Sequence, residues 1–478
     1  NTLFDPAIVY AKGSRLMHML RRWLGDEAFA KGLNAYFAKH QYSNTIGRDL
    51  WNALGAASGR DVAAFMDSWL EQPGYPVLTA IVENDTLKIS QKQFFIGEKE
   101  EKGRLWVVPL NSNWTGIPDT LETEMLEIPN YAALAAQNEG ALRFNTENTA
   151  HYITDYQGEL LDNILATITD LDNTSKLQVV QERRLLAEAG FVSFADLIPV
   201  VKKLTNERSY LVVSAVKAVL NSLRTFVDEG TETEVAFKKL LVKLNQANFD
   251  RLGFEAKAGE TDEDELVRQI VVANMIAADD EKASQKASQI FEAYHDTLEK
   301  LPAATRLQIL INQIKHHETK ELTDKYLATY ITTVDGNFQR QLASALSYTK
   351  DETTLTHLLE EWKNKDVVKP QDLAMSWYFT FLQHDFTQGT VWTWARDNWD
   401  WIKAALGGDM SFDKFVIYPA STFKTYERLA EYKAFFEPQL SDLAISRNIS
   451  MGIKEICARI DLIDKEKAAV EAAIKATV

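Results

Sequence analysis

The spacing of apolar residues changes twice along this chain of 478 residues, and that double change limits what it can fold into. Up to about residue 72 the spacing is helical. Leu16, Met19, Leu20 and Trp23 fall at i, i+3, i+4 and i+7, on one face of a helix. Thr45 and Asp61 are candidate N-caps, the first opening a helix over Ile46–Leu54 and the second one over Val62–Leu70. Gln72-Pro73-Gly74-Tyr75-Pro76 then stops the pattern, because two prolines around a glycine cannot stay helical.

From about residue 75 to 155 the period becomes two. Pro76–Glu83 and Thr86–Gln91 flank Asn84-Asp85, a pair that tolerates positive φ and so reads as a hairpin turn. Arg104–Leu110, Thr120–Ile128, Leu142–Phe144 and His151–Thr154 are further short strand candidates. Several short strands with turn signals predict a small β-sandwich. From about residue 156 onward helix-length segments recur, among them Leu177–Ala189, Ser214–Val227 and Glu265–Ala277, each followed by a short polar break. The expectation is a large solenoid-like array of helix pairs, although no strict sequence period runs through it. Glu255–Glu265 reads as a solvated acidic connection within that array. The chain is therefore expected to be multidomain and mainly α, divided at 1–74, 75–155 and 156–478.

Charge and cysteine content exclude several classes. Lys and Arg number 52 against 68 Asp and Glu, a formal net charge of −16. Nucleic acid and anionic membrane surfaces demand clustered Lys and Arg, so neither is an expected partner. No apolar run of about 18 residues offers a transmembrane span. The N-terminus lacks the basic-then-apolar order of a signal peptide. A single cysteine, Cys457, cannot form an intramolecular disulfide, which fits a reducing, cytoplasmic setting. Its apolar helical surroundings predict a buried structural residue. The opening residues, with no initiator methionine, read as those of an excised fragment.

The histidines are His18, His40, His151, His295, His316, His317, His357 and His384, and no two lie three or four apart. No helix can then offer two imidazoles on one face to a zinc ion. His316-His317-Glu318 is suggestive in composition, but adjacent helical residues point about 100° apart. Phosphate-loop and nucleophile-elbow motifs are absent as well.

One segment carries more. Phe4-Asp5-Pro6-Ala7-Ile8-Val9-Tyr10-Ala11-Lys12-Gly13, leading into the apolar face above, resembles the catalytic-tyrosine segment of the aminopeptidase N family of gluzincin zinc metallopeptidases, in its bacterial form. Tyr42-Ser43-Asn44-Thr45 with Asp49-Leu50-Trp51 resembles the family's next helix connection. Met66-Asp67-Ser68-Trp69 through Gln72-Pro73-Gly74-Tyr75-Pro76-Val77 resembles the end of its catalytic domain. Phe144-Asn145, His151-Tyr152 through Tyr156, Leu252-Gly253-Phe254, Glu431–Pro438 and Arg447–Ile460 continue the likeness in order through the rest of the chain.

The resemblance implies that residues 1–74 are the last helices of a thermolysin-like catalytic domain, 75–155 a β-sandwich, and 156–478 a HEAT-like helical wall over the active site. It implies Tyr10 as a catalytic residue, donating a hydrogen bond to the oxygen that becomes negative as the scissile carbonyl is attacked. Asp5 would face the substrate channel or cap a turn. In that family zinc is held by the two histidines of HExxH and a later glutamate, all upstream of the tyrosine segment. By analogy they precede Asn1, so Zn²⁺ belongs to the full-length enzyme, and this chain is expected to bind no metal and to be inert alone. Peptides are the implied substrates, and the N-terminal and catalytic domains of the same polypeptide the implied partners. For Lys12 the residues suggest a solvated or ion-paired side chain, and for Gly13 close helix packing. Trp377, Tyr378, Phe379, Phe381, Trp392, Trp394, Trp399 and Trp401 form a dense aromatic set, read as helix packing with one or two rings left to line a cavity. The competing reading is a non-catalytic helical scaffold that binds a peptide or protein partner.

Overall fold

We describe a computed structural model of the chain over residues 7–97, 102–409 and 411–477. It divides into two compact units, one running to Lys203 and the other starting at Leu204.

The first unit opens with helices α1 (Gly13–Leu24), α2 (Asp26–His40), α3 (Gly47–Ser58) and α4 (Val62–Leu70). Leu16, Met19 and Leu20 bury the expected face of α1, and Trp23 stacks on Phe65 of α4 with ring centroids 4.2 Å apart. Asp61 caps α4 by accepting the Ala64 N–H at 2.9 Å, as expected. Thr45 does not cap α3. Its hydroxyl bonds the Tyr36 hydroxyl at 2.7 Å, and Asp49 closes the helix end instead by accepting the Ile46 N–H at 3.0 Å. The carboxylate sits in the first turn, where the helix dipole favours negative charge.

Strands β1 (Pro76–Glu83) and β2 (Thr86–Gln93) pair antiparallel, from Pro76 opposite Gln93 to Glu83 opposite Thr86. Asn84 and Asp85 turn the hairpin with φ of 50° and 59°, the positive pair that a two-residue hairpin requires. Two-residue β3 (Val108–Pro109) and β4 (Thr120–Leu121) form a separate ladder. Strand β5 (Met125–Pro129) joins β2 antiparallel, and β6 (Ile153–Tyr156) joins β1 parallel, giving the order β5-β2-β1-β6.

Several expected strands are shorter than their sequence pattern or are not ladders, because side chains take over the hydrogen bonding. Arg104–Leu110 contributes only Val108–Pro109. Buried Gln91 reaches across to Trp106, accepting its N–H at 2.9 Å and donating to its carbonyl at 3.0 Å. Leu142–Phe144 is not a strand. Asn113 accepts the Arg143 N–H at 2.6 Å, and the Tyr156 hydroxyl accepts the Phe144 N–H at 2.6 Å. A buried backbone group needs a partner, and an amide or phenol supplies one as well as a neighbouring strand does. The unit closes with helices α5 (Tyr131–Ala135), α6 (Glu159–Ala166), α7 (Asn173–Glu188) and α8 (Leu197–Lys203).

The second unit is helical throughout its regular structure, from Tyr210–Arg224 to Ser446–Lys475. Its polar breaks are N-caps. Thr231, Thr261, Asp280, Thr319, Asp335, Asp351 and Thr425 each accept a backbone N–H at the start of the helix that follows. The acidic stretch Glu255–Glu265 is not merely a solvated connection. Asp262–Glu265 form the first turn of the helix Asp262–Ala277, Asp264 binds Arg251, and Glu260 pairs with the guanidinium of Arg268, which is 1% exposed. Most of the aromatic set fills one core here. Trp377, Tyr378, Phe381, Trp392 and Trp399 are buried, and Trp394 lies partly open on a groove with Thr356, Glu360, Lys363 and Asp397. Cys457 is half-buried against this core rather than enclosed by it.

Candidate active-site segment

Tyr10 stands on a π-helical turn, Ala7–Lys12, that runs directly into α1. A π turn carries an extra residue relative to an α turn and recurs at functional positions. None of the turn's residues is buried. Tyr10 is 66% exposed and is flanked by Ile8 and Val9, also exposed. Its hydroxyl makes no hydrogen bond to any described residue. Asp5, the other expected site residue, lies outside the described residues.

Two cationic arms anchor the turn from its C-terminal side. Lys12 is half-buried and, among the described residues, makes no ion pair. Its ammonium donates to the Gly74 carbonyl at 3.5 Å, and burial lowers its pKa. Arg15, on the first turn of α1, donates to the Ala150 carbonyl at 2.8 Å and to the Asn148 side-chain oxygen. The segment that receives Arg15 is itself fixed. Buried Asn145, at φ 53°, accepts the Ala150 N–H at 2.6 Å and donates to the Ala150 carbonyl at 3.1 Å. Gly13 is not a close-packing glycine, since a Cβ there would meet nothing nearer than the Ile8 carbonyl at 3.8 Å.

His151 sits beneath these cations. Its ring lies 4.8 Å from Tyr75 and 6.1 Å from Trp69. Burial, reinforced by Lys12 and Arg15, drives its pKa down to about 4, so the imidazole is neutral at pH 7. Burial together with Glu188 pushes the Tyr75 phenol up to about 12. Deeper in, the Glu182 carboxyl accepts Gln178 Nε2–H at 2.9 Å and the Thr154 N–H at 3.3 Å. Burial raises its pKa to about 8, against the pull of those two donors and of Arg15.

Among the described residues no three His, Cys, Asp or Glu side chains converge to hold a metal ion, so no zinc chemistry is derived from them. His316, His317 and Glu318 diverge. His316 faces Asp279 at 3.3 Å, His317 meets the Ser288 hydroxyl at 3.3 Å, and Glu318 accepts from Thr349 and from the Lys350 N–H. The sequence motif points to Tyr10 but carries no sign of Arg15 or Glu182. Their partners lie more than 130 residues away for the arginine and 28 for the glutamate's Thr154 contact.

The ERAP1-like C-terminal domain family matches residues 142–458, and the Peptidase family M1 domain matches residues 1–69. The chain belongs to the ERAP1-like C-terminal domain family, joined here to the end of an M1 peptidase domain. Aminopeptidase N of Lactococcus lactis subsp. lactis is 60% identical over 476 residues, covering 99% of this chain and 56% of that protein. Aminopeptidase N of Lactobacillus helveticus is 41% identical, with 99% and 56% covered. A puromycin-sensitive aminopeptidase of Caenorhabditis elegans is 26% identical, with 98% and 51% covered. The chain thus spans little more than half the length of the relatives it matches.

Proposed function

We propose that the whole protein is a zinc-dependent aminopeptidase that removes N-terminal residues from peptides, and that Tyr10 is the catalytic residue this chain contributes. A neutral phenol donates one directed O–H. Placed against a carbonyl oxygen on which negative charge is growing, such a donor is worth about 10²–10³ in rate. The observation that carries the reading is the exposed Tyr10, whose hydroxyl bonds no described residue, on a segment anchored by Lys12 and Arg15.

In this reading residues 1–74 complete a peptidase domain, 75–155 form a β-sandwich and 156–478 a HEAT-like helical wall that encloses the peptide. Zinc is held by residues upstream of this chain, and Asp5 faces the substrate channel. Ile8, Val9, Phe37, Tyr42 and Ile46 are large apolar side chains left exposed, surface for the missing domains of the same polypeptide to cover. Among the described residues no helix is long and apolar enough to cross a membrane; a cytoplasmic setting is part of this reading.

The test is hydrolysis of aminoacyl substrates by the whole protein, with and without chelator, comparing wild type with Tyr10→Phe. Activity lost to chelator, and lowered about 10²-fold or more by Tyr10→Phe, is the expected result. The 478-residue chain alone is expected to be inert. A whole protein that binds peptides without turnover would overturn the enzyme reading in favour of a binding scaffold.

A further inference from the structure

We propose that Arg15 and Lys12 are positioning residues for Tyr10, holding the exposed π turn in the one orientation that aims the phenol. The proposal rests on the reading of Tyr10 given above. Among the described residues of the π turn no side chain is buried. The turn runs directly into α1, whose own position is set by the buried face of Leu16, Met19 and Leu20. Two polar arms leave the segment at residues 12 and 15 and end on different acceptors.

Lys12 reaches the carbonyl of Gly74, in the loop ahead of β1. Arg15 reaches the Asn148 side chain and the Ala150 carbonyl, ahead of β6. β1 and β6 are paired neighbours in one sheet, so the two acceptors share a rigid base. Two points of attachment on such a base fix the rotation of α1 as well as its position, which one point could not do. Each acceptor is held in turn. Gly74 sits at φ +86° against Gln93, whose amide donates to the Pro73 carbonyl at 3.3 Å, and Ala150 is clasped by Asn145 through both its N–H and its carbonyl.

A double-mutant cycle on the whole protein separates positioning from mere support. Arg15→Met and Lys12→Met are each expected to lower kcat about tenfold with KM changed less than about twofold, because a misplaced donor fails in the transition state and not in ground-state binding. In the Tyr10→Phe background the same two changes should lower kcat by less than about twofold, since the group they aim is already gone. Thermal midpoints are recorded for every variant. If Arg15→Met does not fold, Lys12→Met carries the test, because Lys12 makes one long contact to a carbonyl where Arg15 makes two shorter ones. Equal losses in both backgrounds would overturn the proposal and make the arms general supports. Tyr10→Phe impaired while Arg15→Met and Lys12→Met stay fully active would overturn the positioning role alone. A fully active Tyr10→Phe would overturn the catalytic reading of Tyr10, and the positioning role with it.

Discussion

The Lys12 ammonium lies 3.5 Å from the Gly74 carbonyl oxygen, 62 residues further along the chain. The tyrosine segment and the proline-glycine break, the two motifs most specific to the family, are therefore in contact. The glycine itself is explained by its backbone and its neighbour Gln93. At φ +86° a side chain is strained, and a Cβ would stand 2.6 Å from the Gln93 amide nitrogen.

Gly74→Val should for that reason destabilise the first unit by about 1–3 kcal/mol, from backbone strain plus displacement of Gln93. Urea unfolding with a readout from Trp69 or Trp106, both buried in that unit, would measure it. Gly13→Ala is the control. Room exists for its Cβ, so it should be neutral or slightly stabilising.

Glu182 makes stability depend on pH in a stated direction. Its folded pKa, raised to about 8, stands above the ordinary value of 4.5 for the unfolded chain. The folded state therefore binds the proton more tightly, and the contribution is complete below about 4.5 and lost as pH rises through 8. His151 and His384 work oppositely. Burial holds each at about 4 against an ordinary 6.5, so their contribution is lost as pH falls from 6.5 toward 4. Between pH 6.5 and 8 the glutamate's effect should outweigh that of the two histidines. Urea midpoints are expected to fall across that window in wild type and to stay level in Glu182→Gln. A wild-type midpoint that rises from pH 6.5 to 8 would contradict the assignment.

The hairpin β1–β2, the helix over Val62–Leu70 and the buried face of α1 were all legible in the sequence, because each depends on residues close together in it. Alternation, an Asn-Asp turn and a capping aspartate are local signals. What was not legible is non-local. Arg104–Leu110 has a strand's alternation, yet the side chains of Ser68, Trp69, Gln72 and Gln91 take the backbone hydrogen bonds of Leu105, Trp106 and Val107. Thr45 has the right chemistry for a cap, yet a tyrosine hydroxyl claims it. Tyr10 could be found from its motif. Arg15 could not, since an arginine beside an apolar stripe looks like any solvated helix residue until the chain returns at Asn148.

Within the aromatic set of the second unit the structure separates pillars from edges. Trp392 is 1% exposed and meets Phe423, Tyr432, Phe435 and Phe436 with centroids between 5.4 and 6.4 Å. Trp392→Ala should cost about 3–5 kcal/mol, combining lost burial with an unfilled cavity. Trp394 borders the open groove, so Trp394→Ala should cost about half as much or less. Calorimetric unfolding of both variants decides it, and equal losses would mean that Trp394 is as enclosed as Trp392.

Gly452 lets the helix Ser446–Lys475 approach its neighbours. A Cβ at that position would stand 2.4 Å from the Tyr432 hydroxyl and 2.8 Å from the Ala420 Cβ. Neither neighbour can step aside cheaply. Ala420 is buried in the helix Lys414–Thr422, and the Tyr432 hydroxyl, itself buried, donates to the Val416 carbonyl at 3.1 Å. Replacing glycine by alanine inside a helix would ordinarily gain up to about 1 kcal/mol. Here overpacking, about 1–3 kcal/mol, opposes that gain, and Gly452→Ala should be destabilising on balance. The identity of the clashing atom can be checked. Tyr432→Phe removes the nearer contact and leaves the Ala420 contact in place. Gly452→Ala should then cost less in the Tyr432→Phe background than in wild type, though it should still cost something. Urea midpoints of the four proteins give that coupling directly. A Gly452→Ala penalty that is the same in both backgrounds would assign the clash to Ala420 alone.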